Sequence, residues 1–227
     1  MKRIVTTLAL LAVTASAAFA ANPLRISQVY GGGGGSTGTY LKDYVELYNN
    51  GNAAVNIGGW VLEYGSAAGN WGSSATNIFT FPVGTTIQPC QYMLIELGAP
   101  GTAGAALPVP ADFSTTNLSM SSTSGKIALM SAPNANTACG LEAPGTVVDK
   151  VSYGTGNCPE TTNIGLLSST SGAVRNNAGV QDTDSNLADF TIVANPVPRN
   201  TASARNASCL VTPTSKSTWG AVKSIYR

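Results

Sequence analysis

The chain contains no histidine. That excludes Ser-His-Asp and Cys-His activation of a nucleophile, the zincin helix motif, and histidine general acid–base chemistry. No Ser-x-x-Lys occurs either, so the serine–lysine substitute is also missing. Charge is scarce: 10% of residues are Asp, Glu, Lys or Arg, and none form a basic block. A chain of that kind lacks the electrostatic footprint that phosphate contacts need, which argues against nucleic-acid binding by this domain alone. None of the four cysteines lies in a C-x-x-C pair, so no common zinc spacing is present. Beyond the first twenty residues no run is apolar for the ~20 positions a membrane span requires.

Those first residues carry a targeting pattern. Lys2 and Arg3 form a positive n-region, an apolar run follows over residues 4–15, and Ala18-Phe19-Ala20 offers a small-x-small cleavage site. The expectation is a signal peptide over residues 1–20 and a mature chain beginning at Ala21. The compact n-region suits a bacterial protein, secreted or held in the cell envelope, in the periplasm or at the surface. Removing Lys2 and Arg3 takes the basic count from 12 to 10 against 11 acidic residues, so the mature chain is nearly neutral.

Low charge, 25 glycines and abundant Ser, Thr, Asn and Ala suit an extracellular β-rich protein with polar loops. One β domain can occupy residues 21–203, leaving residues 204–227 as a Ser/Thr/Ala/Asn-rich tail that contains Trp219 and Tyr226. An even number of cysteines in an exported chain predicts two disulfides, with three connectivities open. We expect Cys90–Cys139 and Cys158–Cys209.

Strand signals recur along the chain. Asp43-Tyr-Val-Glu-Leu-Tyr-Asn49 and Gly58-Gly-Trp-Val-Leu-Glu-Tyr64 alternate apolar and polar residues, with Asn50-Gly51-Asn52 between them. They read as paired half-buried strands joined at a turn. Further runs occupy residues 24–30, 54–57, 78–81, 92–97, 126–130, 147–153, 173–175 and 190–193. Five successive glycines, residues 31–35, forbid regular structure and predict a mobile loop. Residues 98–124 lack strong periodicity and read as a surface excursion. No helical period is sustained outside the N-terminal segment. The expected fold is all-β, two antiparallel sheets packed as a sandwich, with Val45, Leu47, Trp60, Leu62, Leu94, Ile127, Leu129 and Val151 in its core.

The ordered set of runs resembles the lamin tail domain in its secreted bacterial form, an immunoglobulin-like β-sandwich. The resemblance rests on Asp43-Tyr-Val-Glu-Leu-Tyr-Asn and Val55-Asn-Ile-Gly-Gly-Trp-Val-Leu-Glu-Tyr. It continues through Pro89-Cys-Gln-Tyr-Met-Leu-Ile, Ser124-Gly-Lys-Ile-Ala-Leu-Met and Val147-Val-Asp-Lys-Val-Ser-Tyr-Gly. Asp182-Thr-Asp-Ser-Asn-Leu-Ala-Asp-Phe and Pro198-Arg-Asn complete it. Similar members often carry a cysteine just before the Asp-Thr-Asp motif, where this chain has Gln181, so any family pairing of that cysteine with the one matching Cys158 must be broken or rewired here. The resemblance implies a non-catalytic binding or structural module, the kind also found attached to extracellular nucleases and phosphatases.

Three groups of residues invite a chemical reading. Gly125-Lys126 fails as a phosphate loop, because Met120 stands where the first glycine belongs and Lys126 begins a strand. Glu46 and Glu63 fall on strands expected to be adjacent and would suit an acid pair, as glycoside hydrolysis requires; the simpler expectation is a solvated strand face. Asp182, Asp184, Asn186 and Asp189 place oxygen donors at close intervals, as Ca²⁺ prefers. The loop is not an EF-hand, since Leu187 and Val193 replace its Gly and Glu, and turn capping is the alternative. The expected function is a secreted binding or structural module without enzymatic activity and with no cofactor but Ca²⁺, its partner an extracellular protein or polysaccharide. The alternative is an extracellular hydrolase or nuclease-associated accessory domain that uses carboxylates and a divalent metal.

Overall fold

A computed structural model describes residues 22–207 and 209. The expected signal over residues 1–20, and Trp219 and Tyr226 of the expected tail, lie outside the described residues. Among the described residues twelve strands follow one another: β1 (Leu24–Tyr30), β2 (Asp43–Asn49), β3 (Val55–Asn56), β4 (Val61–Ser66), β5 (Ile78–Thr80) and β6 (Thr86–Ile87). Then come β7 (Tyr92–Leu97), β8 (Phe113–Ser114), β9 (Gly125–Met130), β10 (Val147–Tyr153), β11 (Ser171–Arg175) and β12 (Phe190–Ala194). A single turn of helix, α1 (Asn186–Asp189), precedes the last strand.

The strands form a six-stranded sheet ordered β12-β11-β1-β2-β7-β8 and a four-stranded sheet ordered β10-β9-β4-β5. A small β3-β6 ribbon completes the fold. All pairings are antiparallel except the short β7–β8 contact. This is the expected immunoglobulin-like sandwich. Period-two side-chain geometry explains the packing. Val45 and Leu47 of β2 point inward with Ile26, Met93 and Ile95 of neighbouring strands, and meet Leu62, Ile127, Leu129 and Val151 from the opposite sheet.

Trp60 departs from the expected core: it is half-buried and packs at the margin. Among the described residues Trp71 is the tryptophan with no exposure, and it lies on the outer side of the four-stranded sheet with Val61, Ala128 and Met130. The expected pairing of β2 with β4 also fails. They belong to different sheets, because Asn49 ends β2 by donating to the Ala53 and Ile87 carbonyls (2.9 and 3.0 Å) and the chain then crosses through β3.

Two coil expectations change as well. Gly31 and Gly32 are buried, and Gly33 has no room for a side chain: a Cβ there would fall 2.1 Å from the Lys42 carbonyl carbon. The first three glycines are irregular but packed, while Gly34 and Gly35 are exposed. Residues 98–124 are not wholly superficial, since Leu118 and Met120 enter the main core.

Two disulfides form, but Cys90 pairs with Cys209 and Cys139 with Cys158. The expected Cys90–Cys139 bond would have to join opposite faces of the sandwich. Cys90 precedes β7 of the six-stranded sheet beside Tyr48 and Tyr92, whereas Cys139 packs with Trp71 and Cys158 over the four-stranded sheet.

Candidate functional site

The Asp182–Asp189 turn sits on a buried arginine. Arg175, at the end of β11, has no exposed side-chain surface. Its Nε donates to the Ile26 carbonyl (2.8 Å), its Nη2 to Asp149 Oδ2 (2.7 Å) and its Nη1 to Asp182 Oδ1 (3.3 Å). Asp189 Oδ2 lies 3.7 Å from the same guanidinium, and the Phe190 ring stacks against it at 4.5 Å. Asp149 also accepts the Ile26 amide (2.6 Å), so one carboxylate of β10 ties together strands of both sheets. A charge pair this deep needs hydrogen bonds on every side to offset lost hydration.

The four oxygen-bearing residues of the turn face different ways. Asp182 engages Arg175 and lies 3.0 Å from Arg25 Nε, an ion pair without hydrogen-bond geometry. Asp184 is exposed and adopts a left-handed conformation, φ 55°. Asn186 points inward, accepting the Ser152 and Glu160 amides and donating to the Lys150 carbonyl and Glu160 Oε2. Asp189 accepts the Thr183 amide and hydroxyl (2.8 and 2.9 Å). The Asp189 side chain thus performs the capping that a short Asx-rich turn requires, while Asn186 ties the turn to β10 and to Glu160. Negative charge nevertheless accumulates beside them. Burial raises the Glu160 carboxyl to about 8, and the charges of Asp149, Asp182 and Asp184 push it the same way.

Glu46 and Glu63 are not an acid pair. They lie in different sheets and face opposite sides of the sandwich, and neither is solvated: both side chains are fully buried. The covering coil, invisible in the period-two pattern, overturns the expected open strand face. Glu46 receives the Ser27 hydroxyl (2.6 Å), the Arg199 amide (2.6 Å) and Arg199 Nη2 (2.7 Å), while the Arg199 guanidinium stacks 3.6 Å from the Tyr92 ring centre. Burial raises the Glu46 carboxyl and Arg199 opposes the rise. Glu63 accepts one amide, from Asn134 at 2.7 Å, and its Oε2 has no protein partner. Its carboxyl too is raised by burial.

Among the described residues, one group of three Cys, Asp or Glu donors gathers within 4.8 Å: Cys139, Glu142 and Cys158. Two of them are the sulfurs of a disulfide, which removes both thiolates from metal binding. Sequence reasoning missed the arginines, Arg175 and Arg199, that organise both buried carboxylate clusters. The Pro198-Arg-Asn run held the one signal for Arg199. Among the described residues no helix is long and apolar enough to cross a membrane.

Comparison with known proteins places this arrangement. A family model described as Lamin Tail Domain matches residues 17–155, more than half of the chain. The solved structure of a DUF4876 family protein from Bacteroides thetaiotaomicron superposes with a TM-score of 0.51 at 13% identity, covering 82% of this chain and 75% of that one. At that identity the likeness speaks for the fold alone. No curated protein matches.

Proposed function

This chain belongs to the lamin tail domain family, and from that premise we propose that it is an exported bacterial protein acting in the extracellular space or cell envelope. It is a non-catalytic binding or structural module. Residues 1–20 serve as a signal peptide, residues 21–203 form the working domain and residues 204–227 a tail; the partner is an extracellular protein or polysaccharide. The observation that carries the export reading is the pair of disulfides that leaves no free cysteine among the described residues. Such bonds persist in oxidising compartments. N-terminal sequencing of protein recovered from periplasm and medium tests it. A start at Ala21 is expected, and a retained Met1 in soluble cytoplasmic protein would overturn it. Envelope polysaccharides and surface proteins offered to the immobilised, oxidised module test the partner class.

The acidic turn supports a subsidiary proposal, a Ca²⁺ ion at Asp182, Asp184, Asn186 and Asp189. Its support is the exposed Asp184 carboxylate beside Asp182 and Asp189; the charges of Asp149, Asp182 and Asp184 also add to the burial that raises Glu160. An ion that binds only the folded chain raises the melting temperature with its concentration, by about 2.7 kcal/mol at a hundredfold excess over Kd. The Asp182→Asn, Asp184→Asn double variant should lose that rise. Melting that is indifferent to Ca²⁺ in the wild-type protein leaves the turn with its capping role alone.

A further inference from the structure

Under the coil that covers the four-stranded sheet lies a lysine with no ion-pair partner among the described residues. Lys126, near the start of β9, is fully buried and forms no ion pair with a carboxylate among the described residues. Its Nζ donates to the Gly69 carbonyl at 2.5 Å and to the side-chain oxygen of Asn157, and stands 5.0 Å above the Trp71 ring. The stem fits because residue 65 is glycine: a Cβ there would meet Lys126 Cε at 2.5 Å. Burial lowers the lysine below its ordinary range; Glu142 opposes this and Lys150 adds to it. Burial disfavours the charged form of an amine, and the neutral form is the nucleophile.

The amide facing it is held in place. The Asn157 backbone amide donates to the Ala67 carbonyl at 2.8 Å, and the next residue, Cys158, is fixed by its bond to Cys139. The amide carbon, Asn157 Cγ, lies one bond beyond the oxygen that Nζ touches. Amine and amide carbon are thus held together by the fold, the situation in which intramolecular reactions gain most.

We propose that Lys126 and Asn157 form an intramolecular amide crosslink. The Nζ lone pair attacks Asn157 Cγ and a C–N bond forms. The bond from Cγ to the original amide nitrogen breaks, and that nitrogen leaves as ammonia, carrying a proton released by the attacking amine. Nothing is oxidised or reduced and no co-reactant is consumed. Asn157 is exposed, so water relays the proton and ammonia departs to solvent. The product removes a buried positive charge and joins β9 to the coil after β10, across the face that the Cys139–Cys158 bond already spans.

Intact mass of the folded, purified full chain tests this. The crosslinked protein weighs one ammonia less than the oxidised sequence. After reduction and proteolysis it yields a branched peptide joining Lys126 to Asn157, with no tryptic cleavage after Lys126. Lys126→Arg and Asn157→Ala each restore the missing ammonia; Asn157→Asp instead loses one water, or nothing. If Lys126→Arg fails to fold, the exposed Asn157 variants still decide. Unmodified mass in long-stored folded protein overturns the proposal. So does a mass loss found in a linear peptide cleaved at Lys126, the mark of a succinimide at Asn157.

Discussion

The two outer faces of the sandwich bury charge in opposite ways. Over the six-stranded sheet, Glu46 meets Arg199, and Tyr44, Tyr92 and Gln28 add further polar contacts in the layer beneath residues 196–201. Over the four-stranded sheet, Glu63 keeps an unpartnered oxygen and Lys126 finds only neutral acceptors, with Trp71 packed on the same face. Each cover is tied by one disulfide, closing 119 residues of separation in the first case and 19 in the second. The first face resembles a second core, specified by mutual neutralisation. The second tolerates unneutralised charge, the condition in which pKa values shift and side chains become reactive.

The largest expected effect separates the covers by loop length. Replacing Cys90 and Cys209 with Ser should cost about 4–5 kcal/mol in urea unfolding, against about 3 for Cys139 and Cys158, as the logarithm of loop size requires. Equal losses would show that strain or residual structure dominates on one face. Next, Arg199→Met strands Glu46 without its partner and should cost about 3 kcal/mol or more. Compared with freshly made wild-type protein that has not yet lost ammonia, Lys126→Met should cost clearly less, because no carboxylate depends on it; a similar loss would erase the proposed contrast.

Smaller effects probe exposure. Trp60→Ala should lose about 1–2 kcal/mol, short of the ~3–5 typical of a fully buried tryptophan, because Trp60 is half-buried. A thermal melt of the variant checks this. The last test uses pH. Burial lifts Asp43 from 3.8 to about 7 and raises Glu63 as well. Their folded-state affinity for protons exceeds the unfolded value, so the stability they contribute is full below the ordinary carboxylate range and is lost as pH rises through the folded pKa. The wild-type protein should therefore weaken between about pH 4 and pH 7. Asp43→Asn should flatten that slope. Glu63→Gln should gain stability relative to wild type as pH rises above the ordinary carboxylate range, because Gln sheds no proton there. An unaltered slope in both variants would mean that these carboxyls titrate normally.

Much of the fold was legible because inner faces obey a local rule. Val45, Leu47, Leu62, Ile127 and Leu129 alternate along their own strands, and period two needs no knowledge of the rest of the chain. What covers the second face of each sheet is not local. Glu46 looks like an outward polar residue until Arg199 arrives from 153 positions away. The cysteine count was informative, whereas the pairing depended on which cysteines share a face. Asp182, Asp184, Asn186 and Asp189 were visible as an oxygen-rich turn, but the buried guanidinium beneath them belongs to Arg175, which reads as an ordinary strand end. Trp60 and Trp71 changed places because the coil around Trp71 carries no periodicity to mark it as buried.

The Cys90–Cys209 bond also dictates how tension would travel. A pull between the N-terminal end of the domain and any point beyond Cys209 passes along the backbone to Cys90 and crosses directly through the sulfurs. Residues 91–208, which include β7 to β12, then hang inside a closed covalent loop and carry no tensile load through their backbone. Only β1 to β6 stand in the force path, and among them β1 and β2 are zipped side by side in the middle of the six-stranded sheet. A tether attached behind this module would be limited in extension by oxidation state: short while the bond is intact, and able to pay out most of the chain once it is reduced.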